Sequence, residues 1–238
     1  MLLLALDTTT TVCSVALGDE KKLLAETFLN VKRTHSQRLM PVLISLLEHA
    51  GLDKKELEGI VVTTGPGSFT GIRIGIATAR GLAQGLGIPV IGVMTLDALA
   101  EAAAFFEGLI CPILDARRDQ VYVALYRGGK EGLKTMKPVA ALALEELVAM
   151  IEKYEGEVLF LGDGVESYGK VLRNIFKERY SEMPSPLLFN RASFVLQRGI
   201  KIWQECGPSP LYHLKPFYIR PPEAVRRLQQ IKQGRVSG

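Results

Sequence analysis

Gly59-Ile60-Val61-Val62-Thr63-Thr64-Gly65-Pro66-Gly67-Ser68-Phe69-Thr70-Gly71-Ile72-Arg73-Ile74-Gly75 reads as a strand, a turn and the first turns of a helix. Ile60, Val61 and Val62 are β-branched and apolar, the composition of a buried strand. Gly65-Pro66-Gly67 breaks it, and Ser68 is placed to cap a helix over 69–86. The first turn of a helix presents unpaired N–H groups and a positive dipole end, so this unit can hold an anion. Gly71, Gly75 and Ala79 recur every four residues and share one face. Each glycine inside a helix costs about 0.8–1 kcal/mol relative to alanine, which predicts a second helix packed very close to that face. The segment therefore carries two readings, a ligand loop and a helix-docking surface. The phosphate motifs do not fit. The residue five after Gly65 is Thr70, where a Walker loop has a second glycine, and a dinucleotide fingerprint has its third glycine one residue before Gly71. An ordinary tight strand-to-helix turn also accounts for the glycines.

The elements around this unit alternate. Leu2–Asp7, Val12–Leu17 and Leu23–Leu29 read as three strands in hairpin succession, with Gly18-Asp19 at the second turn. Thr34 to about Ala50 reads as a helix, with Thr34 and Gln37 as a capping box, Gly51 as its stop, and Leu39, Val42, Leu43, Leu46 and Leu47 as its apolar stripe. Pro41 should kink this helix or mark its true first turn. Strand 89–94 and a helix from Thr95 to about Phe106 complete a first α/β lobe over 1–105, with Thr95 a plausible N-cap. A second half, 106–210, restarts in the same style. Leu109–Leu114 and Gln120–Tyr126 are strands joined through Asp115-Ala116-Arg117-Arg118-Asp119, and a third strand lies near Leu133–Val139. Helix Ala143–Tyr154, strand Val158–Leu161, loop Gly162-Asp163-Gly164-Val165 and helix Ser167–Phe176 follow. A last helix spans about 191–205, and packing back on the first lobe is an expectation for it. Each half opens with strands hinged on an aspartate, Asp7 and Asp115, an internal echo of two similar lobes.

Composition narrows the class. With 47% hydrophobic and 23% charged residues over 238 positions, the chain is ordinary globular material of one or two domains. Its longest apolar runs, such as Ile88–Met94, are strand-sized and too short to span a bilayer, and no basic leader precedes the first strand. Cys13, Cys111 and Cys206 form neither a zinc pattern nor a disulfide framework, which points to a reducing cytoplasm. The net charge of +4 is uneven. Residues 211–238 hold six Lys/Arg and one acid, a tail of +5, so residues 1–210 sum to −1. The body is no basic nucleic-acid binder. The tail is either an RNA-phosphate contact or a solvated end.

Leu4-Ala5-Leu6-Asp7-Thr8-Thr9-Thr10, Thr34-His35-Ser36-Gln37-Arg38-Leu39-Met40-Pro41 and Thr64 through Gly75 together resemble the TsaB (YeaZ) family. The likeness covers the first lobe nearly end to end and thins beyond residue 126. It implies a two-lobed actin-like (ASKHA, ribonuclease H-like) α/β fold with mixed sheets flanked by helices. It also implies a bacterial, non-catalytic scaffold subunit of the machinery that makes N6-threonylcarbamoyladenosine in tRNA. Its implied partners are a second copy or the catalytic paralogue TsaD, a TsaE-like ATPase, and tRNA indirectly through the complex. No cofactor is required on this reading, and ATP or ADP would enter only at a composite interface. The implied partner interface lies on the first-lobe helices: His35, Arg38, Leu39 and Val42 on one, and Phe69, Thr70, Gly71, Ile72, Arg73, Gly75, Ile76 and Ala79 on the other.

The residues themselves argue in the same direction. The paralogue carries metal-binding histidines in a Gly-Val-His-His-Leu-Glu-Gly-His type segment, where this chain reads Gly92-Val93-Met94-Thr95-Leu96-Asp97-Ala98-Leu99. Methionine, threonine and leucine are poor ligands for hard or borderline metals. His35 and His49 stand about 21 Å apart along one helix at 1.5 Å per residue, too far to share an ion, and His35 reads as a surface residue. No metal site and no catalytic set are expected. Asp7, Thr8, Thr9, Gly65, Gly67 and Ser68 form the candidate nucleotide or anion site, although the second-lobe turn puts Ala116-Arg117-Arg118 where actin-like ATPases have glycines. An independent actin-like ATPase or phosphotransferase, resting on Asp7 and the threonine run, is the alternative. A protease acting on its paralogue ranks third, since no nucleophile motif is present.

Overall fold

The computed structural model describes residues 1–31, 34–130, 132–208 and 210–220. The first sheet comprises β1 (Leu3–Asp7), β2 (Cys13–Gly18), β3 (Leu23–Leu29), β4 (Gly59–Gly65) and β5 (Val90–Met94), in the order β3-β2-β1-β4-β5. Strand β1 is central, antiparallel to β2 and parallel to β4, and every residue in it is buried. A strand covered on both faces has no polar side, which is why Leu3-Leu4-Ala5-Leu6 is a continuous apolar run. The period-2 alternation then sorts its side chains. Leu4 and Leu6, with Ile60 and Val62, face helices α1 (His35–Ala50) and α2 (Phe69–Leu86). Leu3 and Ala5, with Val61, face α6 (Ala192–Cys206). The last helix of the second half thus covers the back of the first sheet, and a Cβ on Gly199 would meet the Val61 side chain.

The second sheet is built from β6 (Leu109–Asp115), β7 (Gln120–Arg127), β8 (Lys134–Ala143), β9 (Val158–Leu161) and β10 (Tyr180–Glu182), ordered β10-β9-β6-β7-β8. Its first strand is again central, with its hairpin partner antiparallel on one side and the crossover strand parallel on the other. The two sheets have one topology. Helices α4 (Leu144–Ile151) and α5 (Gly164–Phe176) pack on the second. Helix α3 (Thr95–Glu101) is shared: Leu96 and Leu99 enter the second core, Ala98 enters the first, and Asp97 accepts a 2.6 Å hydrogen bond from the Tyr126 hydroxyl.

Several local expectations are corrected. Thr34 starts α1 without a side-chain cap, so the capping box does not form; Gly51 ends the helix in the left-handed conformation as expected. Pro41 lies inside one continuous helix, on its exposed side, rather than in its first turn. Helix α3 is only seven residues long, and Met94, not Thr95, is its N-cap. Strand β10 had no sequence signal: three residues pairing in parallel at a sheet edge are too short for a period to register. Of the tail, residues 221–238 lie outside the described residues. Leu211–Arg220 runs back over the first lobe, where Leu214 is buried in its core and the Phe217 amide donates to the Thr64 carbonyl at 2.8 Å.

Candidate functional site

A cleft of about 750 Å³ opens between the lobes. Thr9, Thr10, His35, Arg38, Gly67, Ser68 and Phe69 line it from the first lobe, and Asp115, Arg117, Tyr122, Asp163 and Glu166 from the second. The β1–β2 turn and the β4–α2 turn meet at its floor. The Ser68 amide donates to the Thr9 carbonyl at 2.6 Å, and the Gly71 amide to the Ser68 hydroxyl at 3.2 Å. Two donors of the first helical turn are thereby satisfied internally, which shrinks the anion site expected there.

Asp7 lies behind this floor and is fully buried. Its Oδ1 accepts from the Thr9 amide (2.9 Å), the Thr9 hydroxyl (2.7 Å) and the Thr63 hydroxyl (2.6 Å), and its Oδ2 from Asn190 Nδ2 (2.7 Å). Among the described residues these four donors come from the turn after β1, from β4 and from the segment before α6. A carboxylate so engaged acts as a junction between three chain segments rather than as an open ligand. Of the six candidate anion-site residues, Thr9, Gly67 and Ser68 line the cleft. Asp7 is behind it, the Thr8 hydroxyl is bound to the Gly71 carbonyl at 2.7 Å, and Gly65 packs against the Phe217 carbonyl.

The second-lobe wall is rich in carboxylates. Asp163 Oδ1 accepts the Asp115 amide at 3.0 Å. Burial pushes the Asp163 carboxyl up to about 6, with the carboxylates of Asp115 and Glu166 adding to the shift and the Asp115 amide and Arg117 opposing it. In the Asp115–Gln120 turn, Arg117, Arg118 and Asp119 all have positive φ, at 64°, 56° and 57°. Three successive non-glycine residues in that region make a tight, strained turn, held by the Arg117 amide donating to Asp115 Oδ1 at 2.7 Å. Burial also pushes the Cys13 thiol up to about 11, which keeps it protonated and unreactive near neutral pH.

The glycine stripe faces inward, which corrects the expectation of a second helix against it. A Cβ on Gly71 would collide with the Thr8 carbonyl, and one on Gly75 would lie 2.6 Å from the Thr8 hydroxyl. The close neighbour that offsets the glycine cost is the β1–β2 turn of the same chain. Ile72, Ile76 and Ala79 are buried alongside. Of the other expected interface residues, Arg38 and Leu39 are buried, His35, Val42 and Phe69 are half-buried, and Thr70 and Arg73 are exposed. His35 is no plain surface residue, because its Nε2 lies 2.8 Å from the Thr10 carbonyl.

The outward face of α2 carries a different small-residue series. Arg73, Ala77, Gly81 and Gly85 are exposed at four-residue spacing, and a Cβ on Gly81 or Gly85 would have no described atom within 4 Å. Neighbouring α1 exposes Met40 (39%) and Ile44 (49%). Asn190 and Thr63, both central to the Asp7 junction, were not among the expected site residues. Thr63 follows from the parallel register that sets Leu6 beside Val62. Asn190, 183 residues from Asp7, has no local signal.

Two lobes of one topology, sharing α3 and α6 and enclosing a cleft at the ends of their central strands, define the actin-like ASKHA class. The family model for TsaD, tRNA N6-adenosine threonylcarbamoyltransferase, matches residues 22–193. The tRNA threonylcarbamoyladenosine biosynthesis protein TsaB of Bacillus subtilis is 33% identical over 232 residues, covering 94% of this chain and 96% of the relative. The chain belongs to the TsaB family. TsaB of Escherichia coli is 31% identical, covering 96% of this chain and 98% of its own. The solved structure of YeaZ from Pseudomonas aeruginosa superposes with a TM-score of 0.74 at 29% identity, over 91% of this chain and 99% of that one. Among the described residues, no helix is long and apolar enough to cross a membrane.

Proposed function

We propose that this chain is a scaffold subunit in the synthesis of N6-threonylcarbamoyladenosine in tRNA, binding and activating a TsaD-like catalytic paralogue without carrying out the reaction itself. The observation that carries the reading is the outward face of α1 and α2. Met40 and Ile44 are exposed beside a helix whose Ala77, Gly81 and Gly85 leave its backbone open to close approach. Helices with such faces pack at short range against another helix, and exposed apolar area of this kind stabilises association when buried. The same face would serve a homodimer in the absence of the paralogue. The engaged Asp7, which lies behind the cleft floor with its carboxylate held by four internal donors, opposes the reading as an independent ATPase, because it is not presented to a nucleotide in the cleft.

The test is co-expression with the TsaD-like paralogue, followed by size-exclusion chromatography and a tRNA modification assay with the TsaE-like ATPase present. The wild-type chain is expected to co-elute with the paralogue and to support modification, and to modify nothing alone. Gly81→Leu and Ile44→Glu should abolish co-elution and leave the circular dichroism spectrum of the monomer unchanged. Normal pairing by both variants, or ATP turnover by the chain alone that Asp7→Asn removes without unfolding it, would overturn the proposal.

A further inference from the structure

The tail singled out by its charge finds no role in the partner reading, yet its first ten residues sit on an unusual surface. From Gly59 to Leu96 the chain has no Asp or Glu, while it carries Arg73 and Arg80. Leu211–Arg220 has none either, and carries Lys215 and Arg220. These two stretches pack together. The Leu214 carbonyl accepts from Arg80, the Phe217 amide donates to Thr64, and the Tyr218 ring stacks on Phe69 at 4.6 Å while its hydroxyl accepts from Arg73 Nε at 3.0 Å. Lys215 and His213 lie beside Thr64, Val90 and Gly92 at the β4–β5 side of the sheet. These two acid-free stretches of sequence together hold four Lys/Arg, on a body whose residues 1–210 sum to −1.

The same segment exposes aromatic rings. Tyr212 is 70% exposed and Phe217 38%, and the Tyr212 ring meets His213 edge-on at 4.3 Å. Backbone hydrogen bonds and the buried Leu214 hold these rings in place. Cations beside exposed, immobilised aromatic faces suit unpaired RNA: the cations meet phosphates and the rings stack on bases. An acidic protein surface would use the cations and leave the rings without a role.

We propose that the face formed by Leu211–Arg220 and the stretch Gly59–Leu96 beneath it contacts an unpaired segment of the tRNA. The proposal rests on the tRNA-modification reading above and adds a direct RNA contact to it.

The test is fluorescence anisotropy with a labelled, unmodified tRNA transcript at two salt concentrations, with heparin as a polyanion control. Lys215→Glu should weaken tRNA binding about tenfold at low salt and flatten its salt dependence. Tyr212→Ala/Phe217→Ala should weaken tRNA binding about tenfold and leave heparin binding unchanged. Pairing with the TsaD-like paralogue, measured on the same samples without RNA, should be unaffected. Affinity within twofold of wild type in both variants overturns the inference. So does an equal loss of heparin and tRNA in the aromatic variant, which marks a plain polyelectrolyte effect. Loss of pairing in Lys215→Glu with tRNA affinity intact overturns it in favour of an acidic protein partner. If the wild-type chain does not pair at all, the scaffold reading fails, and the RNA measurements still decide this one.

Discussion

Replacing Asp7 by alanine removes the acceptor of four buried hydrogen bonds at once. The losses are unequal. The Thr63 hydroxyl can turn toward the Leu6 carbonyl, already 3.5 Å away, and the Thr9 hydroxyl, although its residue is fully buried, can rotate about its own bond. The Thr9 amide and Asn190 Nδ2 have no such recourse, and each buried donor left unpaired costs about 1–3 kcal/mol. Adding a small cavity, the expected destabilisation is about 3–5 kcal/mol, a large part of the 5–15 kcal/mol available to a typical domain. Urea denaturation followed by circular dichroism reads it as a lower midpoint at unchanged slope. Asp7→Asn keeps the shape but presents an NH2 to at least one donor, and it should fall between wild type and alanine. A cycle with Asn190→Ala should show coupling of about 1 kcal/mol or more, since the two side chains share a bond. If Asp7→Ala unfolds within about 1 kcal/mol of wild type, or more stably, Asp7 is not a structural junction. A strained functional carboxylate would behave in that second way.

Other outcomes follow from the same geometry. Gly71→Ala meets a backbone carbonyl that cannot rotate away and should cost about 3 kcal/mol, whereas Gly75→Ala meets only the Thr8 hydroxyl; there the lost hydrogen bond of about 1 kcal/mol is offset by a similar gain in helix propensity. Thermal melts of the two variants decide this, and equal stability would refute the inward packing of the stripe. Asp163 has its folded pKa raised to about 6, so the stability tied to its protonated form is full below the unfolded value near 4 and is lost as pH rises through 6. Asp163→Asn should therefore gain about 1–3 kcal/mol at pH 8 and little at pH 4, read from denaturant midpoints at both pH values. Glu26 accepts from Arg191 Nε and Nη2 and from the Ser193 amide and hydroxyl, all at 2.8–3.0 Å, so it caps α6 from the first lobe. Glu26→Ala should cost about 2–4 kcal/mol and speed amide hydrogen exchange in the first turn of α6; unchanged exchange there would refute the clamp.

Much of the architecture is legible in the chain. The apolar run Leu3–Leu6, the hairpin Asp115–Gln120 and the strand–glycine–helix unit at 59–86 each state their local form, because period, turn residues and caps act over a few positions. The two-lobe echo through Asp7 and Asp115 was also there, and the two sheets do repeat one topology. What spacing did not tell was direction. A four-residue period says that Gly71, Gly75 and Ala79 share a face, and says nothing of whether that face looks at solvent or at a neighbouring turn.

That choice was made by tertiary packing. The sheet and the β1–β2 turn of the same chain fill the Gly71–Gly75 face, which leaves Ala77, Gly81 and Gly85 as the outward series. Asp7 is a similar case. Its position at the end of a buried strand was evident, but its role depended on Thr63 and on Asn190, brought in from 183 residues away. By itself, then, the sequence determined the elements, their order and the family, since these rest on short-range patterns and on identity. Only the tertiary structure decided which groups are engaged and which are open, since hydrogen bonds and burial are settled among residues that are distant in the chain.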